Sequence, residues 1–314
     1  MLAYTLRKLV TGVAIFLAVT LLTFWMLFAR GGTYIASQAL GQQASPDQVR
    51  RFAENRGLLE PIIVQYVDWL RGVLNGSLGR SILNGQDVGT MLAGAVSVTL
   101  SLVVVSIVLT VLLAIPFGVA AATTGGVIDR GLQLLSVFVQ AIPGYWLALV
   151  LDIIFGLTLK LVPATGFVPL TQSFGGWLSS IILPSFAIAL GAVAFVGTQL
   201  RGTLLEVLRQ DYIRTLRSRG ISTRRVLLKY ALRNASAPVL TILSLQVIGI
   251  LGGAVIIERI YALPGVGTIA IAAGNSADVP VVMGTVAFMV VVVVVVNLLT
   301  EILNGFVNPK MRLK

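Results

Sequence analysis

The densest concentration of charge in this 314-residue sequence lies in residues 201–238. Two acids, Glu206 and Asp211, accompany nine basic residues: Arg201, Arg209, Arg214, Arg217, Arg219, Arg224, Arg225, Lys229 and Arg233. Guanidinium groups form ion pairs and bidentate hydrogen bonds with carboxylates and phosphates. The chemistry that this segment offers is therefore recognition of a protein or lipid surface, and not the making or breaking of bonds.

Bond-making chemistry has few candidate groups in the rest of the sequence. Cys and His are absent, which excludes disulfides, Cys/His metal sites and catalysis by either side chain. The nearest approach to a phosphate-binding loop runs from Gly197 to Gly202, but it continues with Thr203 and lacks the lysine that the motif requires. We therefore predict no catalytic residue, no metal site and no cofactor in this chain, and no ATP binding by this chain alone.

Long apolar stretches flank the basic segment and recur along the rest of the sequence. Only 11% of the residues are charged and the mean hydropathy is +0.95, whereas a soluble domain carries about 25% charged residues. A helix needs roughly 20 apolar residues to cross the hydrocarbon core of a bilayer. We therefore predict an all-α polytopic membrane protein whose first span is an uncleaved anchor. The six predicted spans are Leu9–Ala29, Val98–Ala122, Leu132–Leu157, Ile181–Leu200, Val239–Ile257 and Val281–Leu299.

The distribution of arginine and lysine predicts the orientation of these spans. With the N-terminus inside, the cytoplasmic segments carry fifteen basic residues, whereas the short outer loops carry only Lys160 and Arg259. Cytoplasmic loops of membrane proteins are enriched in Lys and Arg. Both termini and the segment 201–238 are therefore predicted to be cytoplasmic. Because topology then explains the net charge of +11, we predict no nucleic-acid partner.

Turn signals divide this basic segment into two helices. Residues 203–218 are compatible with a helix, Gly220 suits the left-handed position that ends one, and Ser222 is a good N-cap for the next. We predict a helix, a glycine turn and a second helix, held near the lipid headgroups by the basic residues. Anchoring to anionic lipid alone would explain the charge, but not the glycine stop or an exposed Tyr212 and Ile213.

The region between the first two predicted spans is the one sizeable outer segment. Ser45 and Gln48 predict a helix that starts with a capping box, and a second helix is predicted to begin near Pro61. We predict that these outer helices and the first span form an N-terminal domain, residues 1–91. The other five spans and the basic segment are predicted to form a core, residues 92–314.

Two features inside the third predicted span are candidates for a role in a pathway. Pro143 and Gly144 interrupt the backbone hydrogen bonds of the helix, which predicts either simple curvature or a hinge that lines a pathway. Asp152 is an acid in an apolar stretch, which marks a functional position unless interfacial water reaches this helix end. In the fifth span, Gly249 and Gly253 have the spacing of closely packed membrane helices, and we predict a packing role for them.

The basic segment and several further motifs resemble a known family. Residues 211–220 read DYIRTLRSRG, and residues 231–235 read ALRNA shortly before Pro238. They resemble the cytoplasmic EAA coupling loop of ABC-importer permeases, in particular the first permease subunit of the dipeptide/oligopeptide/nickel branch. The resemblance extends along essentially the whole chain through Gly76-Ser77-Leu78-Gly79-x-Ser81, Ile182-Leu183-Pro184, Ile257-Glu258-x-Ile260, Pro264-Gly265-Val266-Gly267 and Val307-Asn308-Pro309.

This resemblance implies a heteromeric importer in a bacterial cytoplasmic (inner) membrane. The chain would enclose half of a translocation pathway for peptides, and a second homologous permease subunit would enclose the other half. Two ATP-binding subunits would bind ATP and Mg on the cytoplasmic side, and an extracytoplasmic substrate-binding protein would deliver the cargo. Membrane lipid would surround the assembly.

The resemblance also implies which residues couple the chain to an ATPase. Gly220 would supply the turn, Tyr212 and Ile213 an apolar plug, and the arginines charged contacts. The implied coupling residues are Asp211, Tyr212, Ile213, Arg214, Arg217 and Gly220.

Three other functions stay open from the sequence. The cargo of the same kind of importer could be nickel or a metal chelate instead of a peptide. An ion-gradient-driven secondary transporter would need buried ionisable groups near the midplane, and the spans offer no convincing one. A membrane anchor could use the basic segment to recruit a soluble enzyme without transporting anything.

Overall fold

A computed structural model describes residues 2–41 and 43–307, and these residues contain no β-strand. The predicted all-α class is therefore confirmed. The predicted cytoplasmic tail, with the motif residues Asn308 and Pro309, lies outside the described residues. The helices, including two π-helical segments, are α1 Leu2–Phe28, α2 Gly32–Leu40, α3 Pro46–Asn55, α4 Ile62–Leu74, α5 Val88–Thr124, α6 Gly126–Ala141, α7 Gly144–Leu151, π1 Asp152–Thr158, α8 Phe174–Leu208, α9 Asp211–Ser218, α10 Thr223–Arg225, π2 Val226–Ala231, α11 Leu232–Ile260, α12 Val266–Asn275 and α13 Val279–Val307.

Five stretches of helix are long and apolar enough to cross a membrane. They contain four of the six predicted spans and all of the first predicted span except Ala29. They are Arg7–Phe28, Val88–Thr124, Phe174–Leu208, Thr223–Ile260 and Val279–Thr300. With 35 residues, α8 is about 50 Å long, whereas the hydrocarbon core is about 30 Å thick. The helices therefore continue beyond the apolar windows from which the spans were predicted.

The third predicted span is broken instead of gently curved. Helix α6 ends at Ala141, α7 begins at Gly144, and the two axes differ in direction by 99°. Ile142 between them has extended backbone angles, φ −86° and ψ 129°, as expected for a residue that precedes proline. Pro143 has no N–H with which to continue the helix. The described chain thus has five continuous candidate spans, or six if this bent pair counts as one.

The basic segment departs from its predicted form in one respect. Helix α8 continues to Leu208 and the short α9 starts at Asp211, so the single helix predicted over residues 203–218 is wrong. Gln210 has an extended backbone, φ −69° and ψ 149°, and Asp211 occupies the first turn of α9, where a carboxylate is favoured by the helix dipole. The second predicted helix does continue past Pro238 into the fifth span.

Local signals between the first two predicted spans correctly predicted α3 and α4, but they did not predict α2. The Ser45 side chain accepts a hydrogen bond from the Gln48 backbone N–H at 3.3 Å, and the Gln48 side chain accepts one from the Ser45 N–H at 2.8 Å. This reciprocal pair is the predicted capping box at the start of α3. Pro61 precedes α4, as predicted. These elements form where a few neighbouring residues satisfy the first backbone N–H groups of a helix.

Contacts divide the chain into two compact units. Among the described residues, the core unit comprises Leu100–Ala262 and residues 295–307, and the N-terminal unit comprises Leu2–Thr99 and Leu263–Val294. Both units are therefore built from segments distant in sequence. The predicted domain division after residue 91 stays a prediction.

Polar contacts link distant segments within the N-terminal unit. The Asp278 carboxylate is buried and accepts hydrogen bonds from the Ser81 hydroxyl at 2.5 Å and the Ile82 backbone N–H at 3.1 Å. The Tyr66 and Thr20 hydroxyls are hydrogen bonded to each other at 3.0 Å. Because an unpaired polar group is costly to bury, these bonds favour one arrangement of the segments.

Helix α8 is central to the core unit, where it packs against α6, α7 and α11. It also approaches α5 closely at two glycines. A Cβ atom at Gly197 would stand 2.4 Å from Cδ1 of Phe117, and one at Gly118 would stand 2.8 Å from the carbonyl oxygen of Gly197. These distances are shorter than any ordinary contact, so only glycine allows the two backbones to lie this close.

We predict that Gly197→Val lowers the melting temperature of the detergent-purified chain. The added methyl groups would collide with the ring of Phe117, and overpacking of this kind costs about 1–3 kcal/mol or more. Gly202→Val in the same helix is the matched control, because no described atom outside its own helix lies within 4 Å of its added Cβ. Equal melting temperatures for the two variants would contradict the close approach.

Candidate functional site

The basic segment forms a short helix that ends at a glycine turn. Helix α9 ends at Ser218, and Gly220 follows with φ +76°. The Gly220 N–H donates to the carbonyl of Arg217 at 3.0 Å, and the Ile221 N–H donates to that of Leu216 at 3.2 Å. The predicted left-handed glycine is therefore confirmed. Its conformation reverses the chain and satisfies carbonyls that the end of the helix would leave unpaired.

The structure corrects the prediction that Ile213 is exposed. Its side chain is fully buried, at 0% exposure, in a cluster with Leu204, Val207 and Val226. The apolar side of α9 faces its own chain because α9 folds back against the end of α8 and against π2. Ile213 is therefore an internal anchor of α9, and it is not available as a plug for a partner.

The other predicted coupling residues within α9 lie on its solvent-exposed face. Asp211, Arg214 and Arg217 are exposed. Tyr212 is half-buried, and its hydroxyl accepts a hydrogen bond from the side-chain amide of Asn234 at 2.7 Å. The nearest described contact between Asp211 and Arg214 is 3.8 Å between two highly exposed side chains, and such a pair contributes at most about 1 kcal/mol. The charged side chains of α9 thus face solvent, while the buried Ile213 packs α9 against α8 and π2.

A salt bridge between α6 and α8 lies near this surface, and the sequence analysis did not predict it. Asp129, near the start of α6, accepts two hydrogen bonds from Arg201 in α8, at 2.6 and 2.5 Å. Only 26% of the Arg201 side chain and 18% of the Asp129 side chain is exposed. The pairing of an acid with an arginine 72 positions away has no local signal in one sequence. It fixes the start of α6 to the part of α8 that leads into α9.

We predict that either Asp129→Arg or Arg201→Asp alone reduces the yield of folded protein several-fold. Each change leaves two like charges facing each other at a partly buried position, whereas the double variant restores an ion pair with the charges exchanged. Size-exclusion chromatography of the detergent-purified chain measures the yield. A double variant that is no better than the single variants would count against this role of the pair.

The two parts of the predicted pathway site lie apart. Gly144 lines a cavity of 360 Å³ at the break between α6 and α7. Asp152 is buried at the start of π1 and is not among the residues that line this cavity. Among the described residues its Oδ1 atom has no hydrogen-bond partner, and it lies 2.6 Å from the position of a Cβ at Gly156. Of the predicted pathway residues, the structure therefore places Gly144, but not Pro143 or Asp152, in the lining of this cavity.

The predicted packing role of Gly249 and Gly253 is not seen within this chain. Outside the backbone of its own helix, no described atom lies within 4 Å of a Cβ at Gly253, and a Cβ at Gly249 would meet only the side chain of Gln246, at 3.8 Å. Both glycines instead line the 360 Å³ cavity. The GxxxG spacing by itself does not show what lies opposite these glycines.

Comparison with known proteins places this architecture in a family of membrane transport components. Residues 114–313 match the family described as binding-protein-dependent transport system inner membrane component, and residues 1–90 match the N-terminal part described for such membrane components. The chain therefore belongs to this family of binding-protein-dependent transport system inner membrane components. It is a multi-pass protein of the inner membrane.

Similar proteins align with the chain from end to end. A putative peptide transport system permease protein of Brucella abortus is 37% identical over 313 residues, which are 99% of each chain. The oligopeptide transport system permease protein AppB of Bacillus subtilis is 34% identical over 314 residues, again 99% of each chain. The dipeptide transport system permease protein DppB of Escherichia coli is 32% identical over 338 residues, with both chains fully covered. Permease subunits of this family are not themselves catalytic.

Proposed function

We propose that this chain is the permease subunit of an ATP-driven peptide importer and that it encloses half of the translocation pathway. The end-to-end similarity to proteins named as peptide, oligopeptide and dipeptide permeases carries this proposal. A second homologous permease subunit encloses the other half, two ATP-binding subunits hold ATP and Mg, and an extracytoplasmic binding protein delivers the peptide. Both termini and α9 face the cytoplasm, in agreement with the excess of basic residues there.

The geometry of α9 supports a revised division of roles among the coupling residues. Asp211, Arg214 and Arg217 contact an ATP-binding subunit, because their side chains are exposed on one short helix. Tyr212 contributes a partly apolar edge to the same surface. Gly220 sets the turn between α9 and the helix that follows it, and Ile213 transmits the movement of α9 to α8. Anchoring to lipid alone would not require Ile213 to pack α9 against the rest of the chain.

A transport assay with the reconstituted complex tests this function. The chain is co-expressed with its sister permease and ATP-binding subunits, and the complex is reconstituted in proteoliposomes with the binding protein on the outer side. Labelled dipeptide is expected to enter when ATP is supplied at the opposite face and to stay outside with a non-hydrolysable analogue. Uptake driven by an ion gradient without ATP, or uptake of nickel in place of peptide, would contradict the proposal.

A further inference from the structure

The cavity at the break between α6 and α7 has the composition of a small-molecule site. Its volume of 360 Å³ lies at the lower end of the range of about 300–1,000 Å³ that is common for ligand pockets. Most of its wall is aliphatic, with polar groups on one side only. The lining includes Gln140, Tyr145 and Leu147 at the break, Ile188 and Gly191 in α8, and Gly253 in α11.

The polar side of the cavity comes from the broken helix. Pro143 occupies the position whose N–H would bond to the carbonyl of Val139 in a continuous helix, so that carbonyl has lost its ordinary partner. The amide of Gln140 and the ring of Tyr145 belong to the same wall, and both side chains are exposed. Backbone groups freed at membrane depth are tolerated only where they are buried in protein or line a water-filled cavity. A face covered by lipid would not satisfy them.

Three glycines, Gly191 in α8 and Gly249 and Gly253 in α11, lie among the residues that line the cavity. Apart from the backbone of their own helices, no described atom lies within 4 Å of a Cβ placed at Gly191 or Gly253. These glycines therefore do not serve close packing within this chain. They leave room into which a side chain from another molecule can extend.

We propose that this cavity is a subsite of the translocation pathway that receives an apolar side chain of the transported peptide. The isoleucines and the leucine contact that side chain. The freed carbonyl of Val139 and the side-chain oxygen of Gln140 accept hydrogen bonds from the peptide backbone, while the Gln140 Nε2 donates to the Ser136 carbonyl at 3.2 Å. The volume left by Gly191 and Gly253 then limits the size of the side chain that passes. This inference rests on the proposed function, since it takes a peptide as the cargo.

Two other occupants lead to different results. A lipid acyl chain would match the aliphatic wall but leave the freed carbonyl of Val139 without a hydrogen-bond partner. A helix of the sister permease could cover the glycines and would be displaced by bulk at these positions. Selectivity between cargoes separates the peptide subsite from both, because neither alternative depends on the size of the transported side chain.

The test measures uptake of two labelled dipeptides, Ala-Ala and Phe-Phe, by the reconstituted complex at saturating binding protein and peptide. Gly253→Leu and Gly191→Leu are expected to reduce Phe-Phe uptake about tenfold relative to Ala-Ala, since small changes of volume in an apolar pocket change selectivity by about 10–200-fold. Gly252→Leu is the matched control. Gly252 lies beside Gly253 in α11, has equally open space around its Cβ, and does not line the cavity.

Each result decides the proposal. A changed uptake ratio in the cavity variants but not in Gly252→Leu supports the subsite, whereas an unchanged ratio, or equal loss of both dipeptides, overturns it in favour of lipid or a sister helix. If a leucine variant fails to assemble, Gly253→Ala, whose single methyl group fits the open space, replaces it under the same criteria. Failure of the wild-type complex to take up either dipeptide with ATP refutes the proposed function, and the subsite with it.

Discussion

Replacing Gly220 with valine is expected to reduce ATP-driven uptake by about tenfold or more without affecting membrane insertion. The backbone of Gly220 has φ +76°, and no described atom lies within 4 Å of a Cβ at this position. The penalty therefore comes from backbone conformation and not from collision. A residue forced into such a conformation costs about 1–3 kcal/mol, and each 1.4 kcal/mol corresponds to a factor of ten. A shifted turn would misdirect α9 while leaving the spans intact.

Two substitutions separate this conformational effect from a general loss of folding. Asparagine tolerates the left-handed conformation better than valine, so Gly220→Asn is expected to retain most of the uptake. Gly202→Val adds the same side chain at an exposed helical position with open space around it and is expected to behave like the wild type. Uptake and peptide-stimulated ATP hydrolysis are measured together. Equal uptake by Gly220→Val and the wild type would remove the turn from the coupling mechanism.

Ile213→Asp is expected to uncouple ATP hydrolysis from uptake at least as completely. Ile213 is fully buried among apolar side chains of the same chain, and an unpaired carboxylate in such a place costs several kcal/mol. The carboxylate would reach water by releasing α9 from α8, so that movement of α9 no longer reaches the spans. Basal ATP hydrolysis is expected to persist, while its stimulation by peptide and binding protein, and the uptake itself, are lost.

The exposed side of the same helix provides the control. Thr215 lies within α9 and is exposed, so Thr215→Asp adds the same charge without burying it. Ile213→Val keeps an apolar anchor and is expected to cost only about 0.5–1.5 kcal/mol. If Thr215→Asp uncouples the complex as strongly as Ile213→Asp, the effect belongs to the charge of the surface and not to the internal anchor.

The local features of this protein could be predicted from neighbouring residues. Ser45 and Gln48 cap α3 as predicted, Gly220 adopts the left-handed conformation, and the chain breaks at Pro143. Each of these outcomes depends on one or two backbone groups within a few positions, so the relevant physics is contained in a short window. Five of the six apolar spans were equally predictable, because they depend on composition over about 20 residues.

Tertiary structure alone decided which side of each element is covered. The charge pattern of residues 201–238 predicted an exposed basic segment, but Ile213 became an internal anchor only because α9 folds back on α8. In the same way, Asp129 forms a salt bridge with Arg201, 72 positions away. Gly249 and Gly253 line a cavity and do not form a helix–helix contact within this chain. Burial and pairing depend on which distant segments share space. One sequence therefore determines where this chain can bend and cross the membrane, whereas the packing of its helices determines which residues are left for a partner.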